Sequence, residues 1–127
     1  MIGRRLLHYE VLSELGAGGM GRVYLARDTR ADRRVALKLL ASDRARDPTA
    51  RERLVREARA AARLSHPGVV TLLAVEEDQG EVFLIEEYVE GESLARRLER
   101  GRLSAPEVVR LARELAAALA HAHRLGV

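Results

Sequence analysis

The sequence predicts an α+β fold, with an antiparallel sheet first and helices toward the end of the chain. The first 40 residues alternate apolar and polar side chains in short runs, as strands with one buried face do. Residues 49 to 64 and the stretch after residue 104 instead repeat their apolar side chains with a helical period. Because strands and helices are segregated along the chain, a parallel βαβ architecture is not expected.

Composition restricts the class of protein further. The chain has 127 residues, of which 47% are hydrophobic and 32% charged, so one ordered domain with a core is expected. It contains no Cys, which excludes a disulfide framework and fits a cytoplasmic location. A net charge of +3 offers little support for a nucleic-acid partner. No membrane segment is expected, because the longest apolar run falls far short of the roughly 20 residues of a bilayer span.

The first part of the predicted sheet is a meander of three strands, at Tyr9–Leu15, Arg22–Arg27 and Val35–Leu40. A glycine-rich turn over residues 16–21 joins the first two strands. Residues 49–64 then predict a helix that starts at Pro48-Thr49. Its apolar face is formed by Leu54, Ala58, Ala61 and Leu64, and Glu57 falls on that same face.

The second part of the chain completes the sheet and ends in helices. Two more strands are predicted at Val69–Val75 and Val82–Val89, which gives five antiparallel strands in all. A short helix is expected over Ser93–Arg100. The sequence from Ser104 to Glu107 is typical of a capping box and predicts the start of a long last helix.

A glycine motif comes between the first two strands. Gly16, Gly18 and Gly21 fit the pattern G-x-G-x-x-G, which occurs in two kinds of nucleotide site. In a dinucleotide-binding oxidoreductase the motif leads into a helix, whereas here the segment after Gly21 has the period of a strand. The motif therefore favours a hairpin that lies over phosphates. An ordinary flexible hairpin is the alternative from the motif alone.

Lys38 is unusual because it is the single lysine among the 22 Lys and Arg residues. It lies in an apolar strand, and alternation puts Ala36 on the same face. A compact ammonium suits a phosphate at the end of a narrow pocket as a point charge. The alternative is a lysine that extends its charged end to solvent.

Glu57 is a natural partner for Lys38, since a carboxylate on the buried face of a helix is costly unless it is paired. Such a pair at ~4 Å is worth at most about 4 kcal/mol before desolvation, at an effective dielectric constant of 20. The alternative is a boundary glutamate that faces solvent. No metal site is predicted.

Four segments in order resemble the bacterial eukaryotic-like Ser/Thr protein kinases. Leu15–Tyr24 is similar to the glycine-rich loop of that family, and Val35-Ala36-Leu37-Lys38 is similar to its V-A-I-K strand. Arg56-Glu57-Ala58, followed by His66-Pro67, resembles the segment of helix C. Glu87–Leu94 resembles the hinge and the start of the next helix.

The resemblance implies a protein-kinase-like small lobe with a five-stranded sheet and helix C, followed by the first helices of the large lobe. Residues 9–127 would be an incomplete kinase domain, divided into 9–90 and 91–127, with 1–8 as an N-terminal extension. Lys38, held by Glu57, would contact the ATP phosphates. Ala61 and Leu72 would belong to the regulatory spine. The implied nucleotide-binding residues are Leu15, Gly16, Gly18, Gly19, Gly21, Val23, Ala36, Lys38, Glu87 and Val89.

The sequence departs from the family in two respects. Glu86 stands where the family usually has Met, Thr or Leu at the back of the adenine pocket. The chain also contains no H-R-D-x-x-x-x-N or D-F-G sequence, which provide the catalytic Asp and the Mg²⁺ ligands. The expected function is therefore the ATP-binding portion of a kinase that phosphorylates Ser/Thr of protein substrates, inactive alone. The alternative is a naturally short, non-catalytic module that binds nucleotide or regulates a kinase.

Overall fold

The computed structural model describes residues 1–18, 21–40 and 47–127. Nine elements follow one another within these ranges. Two compact units contain them, one formed by Met1–Arg63 with Thr71–Tyr88 and the other by Leu64–Val70 with Val89–Val127. The elements are β1 (Arg5–Leu6), β2 (Tyr9–Gly18), β3 (Gly21–Asp28), β4 (Arg33–Leu40), α1 (Pro48–Ala61), β5 (Leu72–Asp78), β6 (Glu81–Glu87), α2 (Leu94–Glu99) and α3 (Ala105–Arg124).

The first unit contains a six-stranded antiparallel sheet in the order β1-β2-β3-β4-β6-β5. The α+β class is confirmed, and the sheet has one strand more than expected. The additional strand is β1, in which Arg5 pairs with Glu10 and Leu6 with Tyr9. Arg4 also bonds Glu81 of β6 at 3.1 Å. Part of the expected N-terminal extension, residues 1–8, thus forms a strand of the sheet.

The bounds of β5 differ from the expectation. The strand spans Leu72–Asp78, three residues later than predicted at each end, and the turn to β6 is Gln79-Gly80. Both turn residues have positive φ, 52° and 81°. The acidic residues 76–78, which the predicted strand bounds leave in the connection, continue the strand because Glu76 pairs with Phe83 and Asp78 with Glu81.

The two faces of the sheet differ in burial. Directly paired residues of antiparallel strands share a face, and successive residues alternate between faces. One side, the core face, packs into the hydrophobic core. The core consists of Leu6, Tyr9, Val11, Tyr24, Ala26, Val35, Leu37, Phe83 and Ile85, each at most 3% exposed. The opposite side of β3, β4 and β6, the open face, carries Val23, Leu25, Ala36, Lys38, Leu84 and Glu86.

Helix α1 begins where the sequence predicts and ends three residues early. Asp47 is its N-cap, and an oxygen of that carboxylate accepts a hydrogen bond from the Thr49 N–H at 3.0 Å. The helix ends at Ala61, so Leu64 lies outside it. Arg51 forms an ion pair with Glu77 of β5, which joins the helix to the edge of the sheet.

The second unit contains the two last helices and the segment 64–70. The predicted capping box of α3 is confirmed, because Ser104 N–H donates to Glu107 at 3.0 Å and Glu107 N–H donates to Ser104 Oγ at 3.3 Å. The Ser65 N–H donates to His121 Nε2 of α3 at 3.3 Å. Among the described helices, none is long and apolar enough to cross a membrane.

Candidate functional site

The glycine motif forms the end of the β2–β3 hairpin. Gly16 pairs with Val23 and Gly18 pairs with Gly21, while Gly19 and Met20 lie outside the described residues. A Cβ atom added to Gly16 or Gly18 would meet nothing within 4 Å, so this part of the hairpin borders open space. Gly21 has a φ of 125°, a conformation that favours glycine. The segment after it is a strand, which argues against the dinucleotide-binding alternative.

Lys38 lies on the open face of the sheet in β4. Its direct neighbours across the sheet are Val23 of β3 and Leu84 of β6, and Ala36 precedes it on the same face. The lysine is half-buried, whereas Ala36 is 9% exposed. Within residues 1–18, 21–40 and 47–127, no ion pair or hydrogen bond engages the Lys38 ammonium. The open face therefore presents a cation beside apolar neighbours.

Glu57 is exposed, contrary to its predicted place on the buried face of the helix. The half-buried and buried positions of α1 are Ala50, Arg51, Leu54, Val55, Ala58, Ala60 and Ala61. Since a helix advances about 100° per residue, Glu57 lies between Ala60 and Ala61 around the helix axis, so the helical period alone does not account for its exposure. The helix contacts β5, and no described element covers Glu57. In the described part of the chain, no ion pair joins Glu57 to Lys38.

The remaining predicted nucleotide-binding residues of the first unit lie at the border of the sheet. Leu15 is 46% exposed and occupies a register shift between Glu14 and Gly16, where a bulge turns its side chain out of the regular alternation. The Glu87 N–H donates to the Thr71 carbonyl at 3.0 Å, and the Glu87 carboxylate accepts from the Thr71 N–H at 2.8 Å. The N–H of Glu87 is therefore not available to a ligand.

Two further residues bear on the predicted adenine pocket. Glu86 is half-buried on the open face, where it pairs with Ala36. Val89, in the second unit, is 62% exposed. The roles of Leu15, Glu87 and Val89 toward a nucleotide stay predictions.

The residues of the open face suit the parts of ATP differently. An apolar strip, Val23 and Ala36, could hold a base, and the small Ala36 leaves room above the sheet. Lys38 has the chemistry to hold phosphate oxygens. For Mg²⁺ the donor set is missing, because the described residues contain no group of three or more His, Asp or Glu side chains that could hold a metal ion. The described residues of the open face therefore suit the nucleotide, but the described residues provide no set of ligands for Mg²⁺.

The turn between β3 and β4 holds a second group of interacting polar residues, which no pattern in the sequence predicted. Asp28 is 5% exposed, and one of its oxygens accepts from the N–H groups of Arg30 at 2.9 Å and Ala31 at 3.0 Å. Burial by itself favours the neutral acid, but these two hydrogen bonds, together with the neighbouring His8 and Arg33, hold the pKa of Asp28 below its ordinary value. Asp28 is a buried carboxylate that remains ionised.

Comparison with known proteins identifies the class to which this sheet and glycine hairpin belong. The family described as "Protein kinase domain" matches residues 9–127, and the chain therefore belongs to that family. Comparisons with bacterial relatives and with a solved kinase domain confirm the expected resemblance to bacterial Ser/Thr kinases and the kinase-like fold.

Particular relatives are bacterial enzymes. The chain is 37% identical over 126 residues to the "Serine/threonine-protein kinase PrkC" of Bacillus subtilis, with 98% of this chain and 19% of that protein covered. It is 41% identical over 127 residues to the "Serine/threonine-protein kinase PknH" of Mycobacterium tuberculosis, covering 99% of this chain and 20% of that protein. The chain thus spans about a fifth of the length of these relatives.

The fold is similar to a solved kinase domain. The crystal structure of the PknI kinase domain of M. tuberculosis superimposes with a TM-score of 0.86 and 31% sequence identity. The superposition covers 100% of this chain and 52% of that domain. The chain therefore corresponds in length to about half of a kinase domain.

Proposed function

We propose that this chain binds ATP on the open face of its sheet and supplies the nucleotide-binding part of a Ser/Thr protein kinase. The observation that carries the proposal is Lys38, a half-buried lysine without an ion pair in the described ranges, next to the glycine hairpin of a chain in the protein kinase family. The Lys38 ammonium is a cation beside apolar side chains, and the phosphates of ATP would balance its charge.

Lys38 is proposed to contact the α- and β-phosphates. Its ammonium carries three donors on a flexible stem and can follow phosphate oxygens as a point charge. Partial burial reduces screening by water, so the attraction is stronger than for an exposed lysine. No described carboxylate within 4.0 Å competes for the charge.

The glycine hairpin is proposed to cover the phosphates with its backbone. Gly16, Gly18 and Gly21 have no side chains to separate the backbone N–H groups from phosphate oxygens. Open space beside Gly16 and Gly18 supports this proposal, since a ligand can approach the strands from that side. Gly19 is proposed to contribute in the same way, although it lies outside the described residues.

The adenine is proposed to rest on Val23 and Ala36, with Leu15 at the border. Of the two hinge residues, Glu87 would accept a hydrogen bond through its carbonyl, because its N–H is already bonded to Thr71. A backbone contact from Val89, which belongs to the second unit, stays a prediction. ATP supplies the transferable phosphoryl group, and Mg²⁺ would neutralise charge on it in a complete kinase.

Glu57 is proposed to act on Lys38 only after a change at α1. The helix ends at Ala61 and presents Glu57 to solvent, so an ion pair with Lys38 would require the helix to rotate or shift. Phosphate binding at Lys38 would not depend on Glu57 in the described conformation.

A second proposal is that these 127 residues bind nucleotide without transferring phosphate. Two observations favour it: no H-R-D or D-F-G sequence occurs among them, and Glu57 does not reach Lys38. The protein substrates and the cytoplasmic location implied by the family resemblance stay predictions.

The test is a titration of the chain with a fluorescent ATP analogue, with and without Mg²⁺. Lys38→Met should weaken binding about tenfold or more, the effect of losing charge-assisted hydrogen bonds. Glu57→Gln should bind as the wild type does. Arg53→Gln, an exposed position on α1 with the same change of charge as Lys38→Met, is the matched control.

Equal affinities for wild type and Lys38→Met would contradict the phosphate role of Lys38. A loss of affinity in Glu57→Gln would instead indicate that the ion pair forms in solution. Transfer of radiolabelled phosphate to a Ser/Thr-rich protein decides between the two proposals: incorporation above background would contradict the non-catalytic one.

A further inference from the structure

We propose that a polar cavity at the N-terminal end of the sheet binds the phosphate monoester of a phosphorylated Ser or Thr side chain in a peptide. The cavity has a volume of about 430 Å³ and is lined by Arg5, Leu7, His8, Thr29, Arg30 and Glu76. It involves neither Lys38 nor the glycine hairpin, so it is independent of nucleotide binding. Three of its residues precede residue 9, where the match to the kinase family begins.

The walls of the cavity are held by hydrogen bonds between separate segments. The N–H and the hydroxyl of Thr29 both donate to the His8 carbonyl, at 3.0 and 2.8 Å. The His8 ring lies 3.6 Å from the buried carboxylate of Asp28, and Asp28 accepts from the Arg30 N–H. Because these bonds fix the backbone, the cavity is present before a ligand arrives, which lowers the entropic cost of binding.

Two guanidinium groups in the cavity have no anionic partner among the described residues. Arg5 donates from Nε to the Leu7 carbonyl at 3.2 Å and from Nη2 toward Thr29 Oγ1 at 3.5 Å, and both acceptors are neutral. Arg30 forms no ion pair with a described carboxylate. In the same unit, Arg4 is paired with Glu81 and Arg27 with Asp32, unlike these two arginines. The positive charge at Arg5 and Arg30 is therefore available to a ligand.

A phosphate dianion matches this arrangement. Guanidinium groups bind phosphate oxygens with pairs of charge-assisted hydrogen bonds, which are stronger than bonds between neutral groups. A concave site also concentrates the field of its charges. Two unpaired guanidinium groups in one cavity thus favour a doubly charged oxyanion over chloride or a single carboxylate.

Glu76 and Leu7 indicate that the phosphate is attached to a peptide. The Glu76 carboxylate repels a free anion, but it can accept hydrogen bonds from the backbone N–H groups that flank a phosphorylated residue. Leu7 provides an apolar contact for the aliphatic part of the side chain. Inorganic phosphate has neither feature and should bind more weakly.

The experiment is a fluorescence-anisotropy titration of a labelled short peptide with one phosphothreonine between Gly and Ala residues, in the absence of nucleotide. The full chain should bind this peptide saturably, and at least tenfold more tightly than the same peptide with unmodified Thr. Arg30→Gln should weaken binding about tenfold. Arg53→Gln, which removes an equal charge from exposed α1, should leave the affinity unchanged.

Equal affinity for both peptides, or for wild type and Arg30→Gln, overturns the proposal. Loss of peptide binding in Lys38→Met also overturns it, because that result would place the peptide at the nucleotide site instead. If Arg30→Gln melts several degrees below wild type, Glu76→Gln gives a second measurement. That variant should bind inorganic phosphate more tightly than wild type does, and an unchanged affinity contradicts the assigned cavity.

Discussion

Alternate residues of β3, β4 and β6 face opposite sides of one sheet, and the two sides differ in burial and polarity. On the core face, Leu37 and Phe83 are 0% exposed. On the open face, Lys38 and Leu84 are half-buried, although each is the next residue along its strand. A shift of one residue in the pairing of a strand would move its buried side chains to the open face and its other side chains to the core face. The core face therefore carries stability, and the open face carries the proposed nucleotide binding, so substitutions on the two faces should have separable effects.

The largest effect on stability is expected at the centre of the core face. Phe83→Ala removes a fully buried ring, one that also contacts Tyr9 edge-on at a centroid distance of 6.2 Å. The free energy of unfolding should fall by about 3–5 kcal/mol, from lost transfer free energy and the cavity left behind. Urea denaturation followed by circular dichroism measures the change. A loss below 1 kcal/mol would contradict the role of this face as the core.

A smaller loss is expected at Asp28, the polar residue of the core face. Asp28→Ala leaves the N–H groups of Arg30 and Ala31 without their acceptor, and it removes a partner of His8. The expected cost is about 1–3 kcal/mol, from the loss of two hydrogen bonds to a charged acceptor. The same denaturation experiment measures it. Asp32→Ala, at an exposed position of the same turn, is the control and should cost less.

The contribution of Asp28 should depend on pH. Its pKa is lower in the folded protein than the ordinary value near 3.9, so the ionised form is favoured by folding. The stabilisation is therefore fully present above about pH 4 and is lost as the pH falls through the lower, folded pKa. The difference in urea midpoint between wild type and Asp28→Ala should narrow between pH 7 and pH 3. A constant difference would indicate that the charge is not involved.

The smallest effect on stability is expected on the open face. Lys38→Met removes a charge without an ion pair in the described residues and keeps a flexible apolar stem. The free energy of unfolding should change by no more than about 0.5 kcal/mol. Thermal melting without nucleotide measures this, and it separates folding from the ATP titration described above. A large destabilisation would show that Lys38 serves the fold.

Much of the fold followed from local patterns. The change from alternation to a helical period separated strands from helices, and the capping box at Ser104 marked the start of α3 correctly. The glycine motif was placed on a hairpin because the residues after Gly21 alternate. Each of these features depends on residues close together in the sequence.

The predictions that were wrong concern features that depend on contacts between residues distant in the sequence. Strand β1 has only two residues, too few for a detectable period, and Leu6 is buried because the core covers it. Glu57 faces solvent because no described element covers that part of the helix, and β5 continues through Glu76–Asp78 because β6 pairs with it. The polar cavity joins residues from positions 5 to 76, which no local pattern connects. The nucleotide-binding roles of Lys38 and its neighbours stay predictions.

Strand β1 has a practical consequence for any shortened version of the protein. A version that begins at Tyr9 would lose Leu6 from the core and the Arg4–Glu81 bond. It would also leave the outer backbone of Tyr9 and Glu10 unpaired at the border of the sheet. Unpaired strand borders promote association between molecules. We expect such a version to precipitate more readily than the full chain during purification, for reasons unrelated to nucleotide binding.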